Sequence, residues 1–203
     1  YEQNEYFVVR ISKKAFSFTK IKSILFAADS KLQTIEEDSF FQSKVEKISL
    51  PASVIDLQDE WCSSMFNCTT IKVDSRNPRY SYYEDKYLIG KSEMSSENYD
   101  TLIIPSRTIV TANIPPMIKI VENFAFSSSK IENLSIPASV VELKKGWCRG
   151  FGTLKSIEVD PANPRYSSYK GKYVIGKSDM LSEKYDTFII SARDIVTANI
   201  PPT

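Results

Sequence analysis

The sequence predicts a β-rich solenoid, a stack of short coils that forms one continuous body over residues 1–203. Two observations predict it. Residues 31–116 and 117–202 repeat one another without a gap, as Ser49–Val54 and Ser135–Val140 illustrate. Within each copy, short apolar strings recur at a much shorter interval. Repeated units of this size bury their apolar faces only against their neighbours, so an in-register repeat indicates a stack rather than separate domains.

Each coil is predicted to begin with a β-strand. Ile24, Ile48 and Ile71 stand in strings that alternate apolar and mostly polar residues, which is the two-residue period of a half-buried strand. Their spacing of 24 and 23 residues lies within the range of about 20–29 that leucine-rich repeats show. We therefore expect a right-handed solenoid with a parallel sheet on one face.

The remainder of each coil is a return segment. In Leu32–Ile35 with Phe40, and in Ile120–Phe126, the apolar residues are three to five positions apart. This spacing favours a 3₁₀ or short helical turn over a strand, with the ring of Phe40 or Phe126 filling the coil. Strands with helical returns define the predicted class, an α/β-type leucine-rich-repeat solenoid that is rich in β-structure.

One step in each copy is longer than a coil requires. Ile71 and Ala112 are 41 residues apart, and the surplus contains strand-like runs at 86–90 and 99–104 joined by polar residues. This pattern predicts a β-hairpin that projects from the solenoid. Residues 172–176 and 185–190 predict a second hairpin. Each long repeat is then three coils, one of which carries a hairpin.

Composition excludes several classes of function. Lys and Arg number 26 against 25 Asp and Glu, so no nucleic-acid partner is predicted. No apolar run is long enough to span a bilayer. The absence of histidine removes the usual acid–base and nucleophile systems and the commonest zinc ligand. With no clustered carboxylates, we predict no enzymatic activity, no catalytic residue, no cofactor and no metal site. The chain begins at Tyr1 without Met, and we expect it to be an excerpt.

The three cysteines are expected to be free, buried thiols. Cys62 and Cys148 are equivalent positions one long repeat apart, too far for a disulfide. Cys68 is replaced by Leu154 in the second copy, which indicates an apolar packing position.

The motifs of both units resemble the BspA-like leucine-rich-repeat proteins, a family of surface proteins that includes those of trichomonad parasites. The short coil has the family's Ile-Pro-x-Ser-Val at Ile136–Val140 and its Ala-Phe at Ala125–Phe126. The long unit has its Asn-Pro-x-Tyr-Ser at Asn77–Ser81 and Asn163–Ser167. Trp-Cys at 61–62 departs from the commoner Ala-Phe. The resemblance implies location at the cell surface or secretion, and a role in adhesion or host contact.

The predicted sheet offers one candidate binding surface, since the exposed face of a solenoid is its usual binding surface. Its outward residues form two columns. One comprises Ser23, Lys47, Thr70, Thr111, Asn133, Ser156 and Thr197, and the other Leu25, Ser49, Lys72, Asn113, Ser135, Glu158 and Asn199. We take Lys47, Lys72, Asn113 and Glu158 as candidate contacts. The alternative is a merely solvated face, because the columns are poor in Trp, Tyr and Arg.

Tyrosine supplies the other candidates, since most of the 11 tyrosines lie in the two long units. Tyr is favoured at interfaces, but for the tyrosines that recur in both copies, such as Tyr80, Tyr87 and Tyr99, we favour packing of the hairpin onto the solenoid. Tyr82 aligns with Ser168, so a tyrosine at this position is not needed for packing in both copies. Tyr82, Tyr83 and Tyr169 are the candidate contacts from this group.

The predicted function is a non-enzymatic adhesion or recognition module that binds a protein or glycan of a host cell or matrix. The alternative is a structural or self-associating spacer without a host ligand.

Overall fold

The computed structural model describes residues 7–198, and β-strands are the regular elements of this part. In chain order they are β1 (Arg10–Ile11), β2 (Ser23–Ile24), β3 (Thr34–Ile35), β4 (Lys47–Leu50), β5 (Asp56–Leu57), β6 (Thr70–Val73), β7 (Tyr80–Tyr83), β8 (Tyr87–Gly90), β9 (Thr101–Pro105), β10 (Thr111–Asn113), β11 (Ile120–Val121), β12 (Asn133–Ile136), β13 (Glu142–Leu143), β14 (Ser156–Val159), β15 (Tyr166–Tyr169), β16 (Tyr173–Gly176) and β17 (Thr187–Ser191). The solenoid predicted from the repeats is confirmed.

The predicted coil strands form two parallel sheets on one side of the stack, which we call the long-strand face. One sheet is β2-β4-β6 and the other is β10-β12-β14. Lys47 lies opposite Thr70, and Thr111 lies opposite Asn133, as the spacing predicts. Ile48 and Leu50 are buried whereas Lys47 is exposed, so the two-residue period holds. Pro51 follows the end of β4, where its missing N–H costs no ladder bond.

The return segments contain a second set of parallel strands, which the sequence analysis did not anticipate. Thr34–Ile35 and Ile120–Val121 were expected in helical turns, yet they are strands β3 and β11. β3 pairs with β1 and β5, and β11 pairs with β9 and β13. Stacking places equivalent return segments side by side, so their backbone groups bond between coils instead of within a turn.

The rest of each return is a succession of β-turns rather than a helix. The N–H of Ser39 donates to the carbonyl of Glu36 (3.2 Å) and the N–H of Phe41 to that of Asp38 (2.9 Å). Asp38 and Gln42 have φ of 56° and 51°, and a left-handed residue within each turn prevents helical continuation. Residues 7–198 accordingly contain no helix. It follows that this part of the chain has no helix long and apolar enough to cross a membrane.

Aromatic rings fill the coils as expected. Phe40 is fully buried, stacks on Phe16 with ring centroids 5.3 Å apart, and meets Trp61 edge-to-face at 6.1 Å. Phe126 meets Trp147 in the same way at 5.8 Å. The buried residues form two clusters: a first core built mainly by residues 11–71 and a second core built mainly by residues 112–159.

The first insert is a three-stranded antiparallel sheet, β7-β8-β9, that lies between the two cores. The predicted strand pair is present as β8 and β9, and β7 adds a third strand. Leu88 and Ile104 pack into the first core, whereas Ile89 and Leu102 pack into the second. The expected projection from the solenoid is therefore absent here, because both faces of the insert are covered.

The second insert, β15-β16-β17, covers only one core. Tyr166, Val174 and Ile190 pack into the second core. Phe188, at the position equivalent to Leu102, is 43% exposed, against 0% for Leu102. The two inserts thus share a fold but differ in what their second face meets.

The three thiols are free, as expected. Cys68 and its counterpart Leu154 are both buried, which confirms an apolar packing position. Cys148 differs from the expectation, since it is only half-buried.

Candidate ligand-binding cleft

The Asn-Pro turn fixes the first insert to the coil before it. Asn77 is 4% exposed, and its Nδ2 donates to the carbonyls of Pro51 and Val54 at 2.9 Å each. Its Oδ1 accepts the backbone N–H groups of Arg79 (2.9 Å) and Tyr80 (2.7 Å). One side chain therefore satisfies four backbone groups and sets the direction in which β7 leaves the coil. Asn163 makes the equivalent bonds in the second copy.

The side chain of Tyr80 caps the edge of the sheet β1-β3-β5. Its hydroxyl accepts the N–H of Leu57 at 3.1 Å, on the side of β5 where another parallel strand would pair. The next short strand in the chain, β9, instead belongs to the sheet of β11 and β13. The sheet is thus interrupted between β5 and β9, although the cores on either side are bridged by the insert.

A cleft of about 860 Å³ lies at this interruption. Its walls come from the turn after β5, from the insert, and from the return turns of the following coils. The lining residues include Asp56, Asp59, Glu60, Trp61, Arg79, Arg107, Asn123 and Arg149. The volume lies within the roughly 300–1,000 Å³ typical of small-molecule sites.

Trp61, Arg79 and Arg107 contribute nitrogen donors to the wall of the cleft. Trp61 is 3% exposed, and its buried Nε1 has no acceptor within residues 7–198. The buried Nε of Arg79 also lacks an acceptor in that range. Arg107 is 6% exposed and donates through Nη1 to the carbonyl of Ser127, and no carboxylate of the described chain is paired with it. The two unpaired nitrogens are fully buried, so they lie behind the surface of the cleft and not at a position that a ligand could contact.

Polar contacts hold the two sides of the cleft together at its rim. Nδ2 of Asn123 donates to both carboxylate oxygens of Asp59 at 3.1 and 3.2 Å. Arg149 pairs with Glu60 at 3.0 Å. These contacts join the second copy to the first across long sequence separations. Exposed pairs of this kind add little stability individually. What they do is fix the two walls of the cleft relative to each other.

Burial shifts the pKa values of two groups behind the cleft wall. It raises the pKa of the Cys62 thiol, and the adjacent Arg107 guanidinium offsets part of that rise. Burial also raises the pKa of the Tyr80 hydroxyl. Both groups therefore stay protonated at neutral pH, and neither supplies a nucleophile. Within residues 7–198 no three Cys, Asp or Glu side chains come together in a metal-binding arrangement.

The sheet residues predicted from the sequence lie outside the cleft. Lys47 and Lys72 are exposed on β4 and β6. Asn113 and Glu158 are exposed on β10 and β14, in one column with Ser135 between them. Each predicted column is broken, because β6 and β10 do not pair.

The last residue of each predicted column is not found in a described strand. Thr197 is not part of a strand, and Asn199 lies outside the described residues. The long-strand face thus presents two short polar surfaces, and its role in binding stays a prediction.

The predicted tyrosines are half-buried. Tyr82 packs against the first core and Tyr83 against the second. Tyr169 lies 6.3 Å from Tyr173 between ring centroids, with the ammonium of Lys170 at 5.1 Å from its ring. Their contact role likewise stays a prediction.

Sequence reasoning missed the cleft because its residues come from distant parts of the chain. One signal was available. Asp59 and Glu60 correspond to Lys145 and Gly146 in the second copy, a change of charge in an otherwise similar turn. Such a difference indicates a role that only one copy has, although it does not indicate which surface the residues share.

Comparison with known proteins supports the repeat architecture. The family description "BspA type Leucine rich repeat region" matches six copies over residues 5–99 and 103–172. No curated protein sequence matches the chain significantly.

Three solved structures are similar. A leucine-rich cell surface protein from Faecalibacterium prausnitzii is 26% identical with a TM-score of 0.48, over 56% of this chain and 29% of that one. The pneumococcal vaccine antigen PcpA is 22% identical with a TM-score of 0.41, over 83% and 32%. A leucine-rich repeat protein from Eubacterium ventriosum is 18% identical with a TM-score of 0.52, over 70% and 42%. This last likeness supports the fold alone. The chain spans less than half the length of each of these structures.

Proposed function

Because this chain belongs to the BspA-type leucine-rich-repeat family, we propose that it is a non-enzymatic recognition module of a cell surface or secreted protein. The module binds a protein or glycan of a host cell or matrix. The surface location rests on the resemblance to this family of surface proteins. The binding role rests on the shape of the molecule.

The cleft between β5 and β9 is the observation that carries the proposal. The insert holds the walls apart, because it packs into both cores. A preformed concave site with a few convergent polar groups is the usual form of a ligand-binding site.

A binding panel tests the proposal. The 203-residue chain is passed over immobilised extracellular-matrix proteins and over acidic and neutral oligosaccharides in surface plasmon resonance. We expect saturable binding to at least one member of the panel. Absence of saturable binding throughout would contradict a recognition role.

Sedimentation velocity over a hundredfold range of protein concentration addresses the alternative function. The recognition module stays monomeric over this range. Concentration-dependent assembly, together with no binding in the panel, would favour the self-associating spacer.

A further inference from the structure

We propose that the sheet β2-β4-β6 of the long-strand face binds a linear sulfated polysaccharide through a group of exposed lysines. This group, which we call the lysine patch, comprises Lys20, Lys22, Lys44, Lys47 and Lys72. The proposal rests on the proposed recognition function and names a ligand class. It concerns a second surface, since none of these lysines lines the cleft.

Stacking of the coils brings the lysines together. The N–H of Lys47 in β4 donates to the carbonyl of Lys22 in the preceding coil at 3.1 Å. Lys72 lies two positions further along, in the neighbouring strand β6. Lys20 and Lys44 occupy equivalent positions, each three residues before β2 or β4. Because parallel strands are about 4.8 Å apart, neighbouring members of the patch lie within about 10 Å of one another.

The positive charge of the patch is largely uncompensated. Glu46 pairs with Lys22 at 3.1 Å. Within residues 7–198 the other four lysines have no carboxylate partner. The net charge of the chain is only +1, so this concentration of charge is local. A surface of this kind attracts an anionic ligand and releases counterions when the ligand binds.

The second copy of the repeat has the equivalent sheet without the full patch. Asn133 replaces Lys47. Glu158 replaces Lys72 and so reverses the charge at that position. The strands β12 and β14 nevertheless pair in the same register as β4 and β6. The sheet therefore does not need these lysines in order to form, which favours a role in binding that only the first copy has.

The side chains of the patch favour a sulfated sugar over an acidic peptide. A lysine ammonium acts as a point charge, whereas carboxylates are matched best by the planar fork of arginine, which the patch lacks. Peptides bind sheets through unpaired strand edges, but β4 is paired on both sides. Between the lysines lie Ser23, Ser49 and Thr70. Their hydroxyl groups both donate and accept hydrogen bonds, as sugar hydroxyls and sulfate oxygens require.

The surroundings disfavour nucleic acid and an anionic bilayer. Proteins that bind nucleic acid read bases with arginine and stack them on aromatic side chains, and β2, β4 and β6 contain neither. The turn after β7, a strand that contacts β6, carries the exposed carboxylates of Glu84 and Asp85. A bilayer would bring a wide negative plane against them, whereas a linear chain can follow the lysines alone.

Calorimetric titration with a heparin decasaccharide tests the inference. The comparison ligands are the same decasaccharide after complete desulfation, which keeps its carboxylates, a glutamate decapeptide, a DNA duplex, and vesicles of phosphatidylserine and phosphatidylcholine. We expect saturable one-site binding of the sulfated chain and at least tenfold weaker binding of each comparison ligand. Its affinity should fall steeply as NaCl is raised, because lysine contacts release counterions.

A combined substitution places the binding on the patch. The variant carries Lys20→Gln, Lys44→Gln, Lys47→Gln and Lys72→Gln, which remove charge at exposed positions and keep most of the side chain. An exposed charge contact changes affinity by roughly two- to fivefold, so we expect the variant to bind heparin at least about tenfold more weakly. The matched control removes four charges from exposed lysines of the second copy, with Lys119→Gln, Lys130→Gln, Lys145→Gln and Lys170→Gln. Its net charge is the same, and it should bind as the unmodified chain does.

The outcomes separate this inference from the proposed function. Equal binding of the desulfated chain, stronger binding of the peptide, DNA or vesicles, or equal losses in the two variants would overturn the assignment of a sulfated ligand to the patch. The ligand comparisons need no variant, so they decide the matter even where substitution impairs folding. Saturable binding of another panel ligand that the patch variant does not affect, without heparin binding, would leave the recognition function standing and refute the patch.

Discussion

Removal of the Asn77 side chain is the perturbation whose cost follows most directly from the structure. Asn77→Ala eliminates four hydrogen bonds of 2.7–2.9 Å in a site that is 4% exposed. It leaves the carbonyls of Pro51 and Val54 and two backbone N–H groups without their partner. A buried hydrogen bond contributes about 1 kcal/mol net, so we expect a loss of about 4 kcal/mol in the free energy of unfolding.

Thermal and guanidinium denaturation followed by circular dichroism measure this loss. For a chain of this size, about 4 kcal/mol corresponds to a fall in Tm of about 8–16 °C. Asn77→Asp is the informative companion, because it preserves volume and acceptor but turns an oxygen toward the two carbonyls. It should be destabilised at neutral pH. Asn98→Ala, on an exposed turn, should change stability by less than about 0.5 kcal/mol.

A small effect would refute the reasoning. If Asn77→Ala lost less than about 1 kcal/mol, water would be replacing the side chain as a partner of the backbone groups. The turn would then hold its geometry without Asn77, and the account of how the insert is anchored would be incorrect. Asn163→Ala provides an independent repetition at the second insert, where the same four bonds occur.

Three further predictions concern the cores and the titrating groups. Leu88→Ala should cost about 2–5 kcal/mol, because Leu88 is 0% exposed in the first core, whereas Leu25→Ala at a 77% exposed position should cost little, as measured by denaturation midpoints. Burial raises the pKa of the Cys68 thiol to about 12, so the native protein should resist thiol labelling at pH 8 and label rapidly once unfolded; fast native labelling at this position would contradict its burial. The side-chain hydrogen bond from Arg76 lowers the pKa of Asp74 from 3.8 to about 2, so the pair's contribution to stability is present above pH 3.8 and is lost as the pH falls through 2. An NMR titration midpoint near 3.8 would refute it.

The local pattern was sufficient for the coil strands and their fillers. Ile48 and Leu50 alternate with polar residues, and Phe40 recurs as Phe126, so strand register and core aromatics followed from period and repeat alone. The returns were predicted less well. Apolar residues three to five apart fit a helical turn and a chain of β-turns equally, and left-handed residues such as Asp38 decided between them.

The position of the first insert depended on tertiary packing. Tyr87–Gly90 is apolar at consecutive positions and fully buried, which is typical of a strand covered on both faces. This signal was present in the sequence, but it does not say which surfaces do the covering. Leu88 turns to the first core and Ile89 to the second only because coils stack on both sides of the sheet.

The sequence by itself determined a solenoid of the BspA type, its register and its two inserts, because each of these follows from short periods that the chain repeats. Only the tertiary structure decided that the first insert separates two cores and that a cleft opens beside it. Trp61, Arg79 and Arg107 are far apart in the chain and have counterparts in the second copy. Whether they line a cleft or bond to neighbouring carbonyls depends on which groups lie within reach. That is a matter of distance in the folded molecule, which residue type and spacing do not specify.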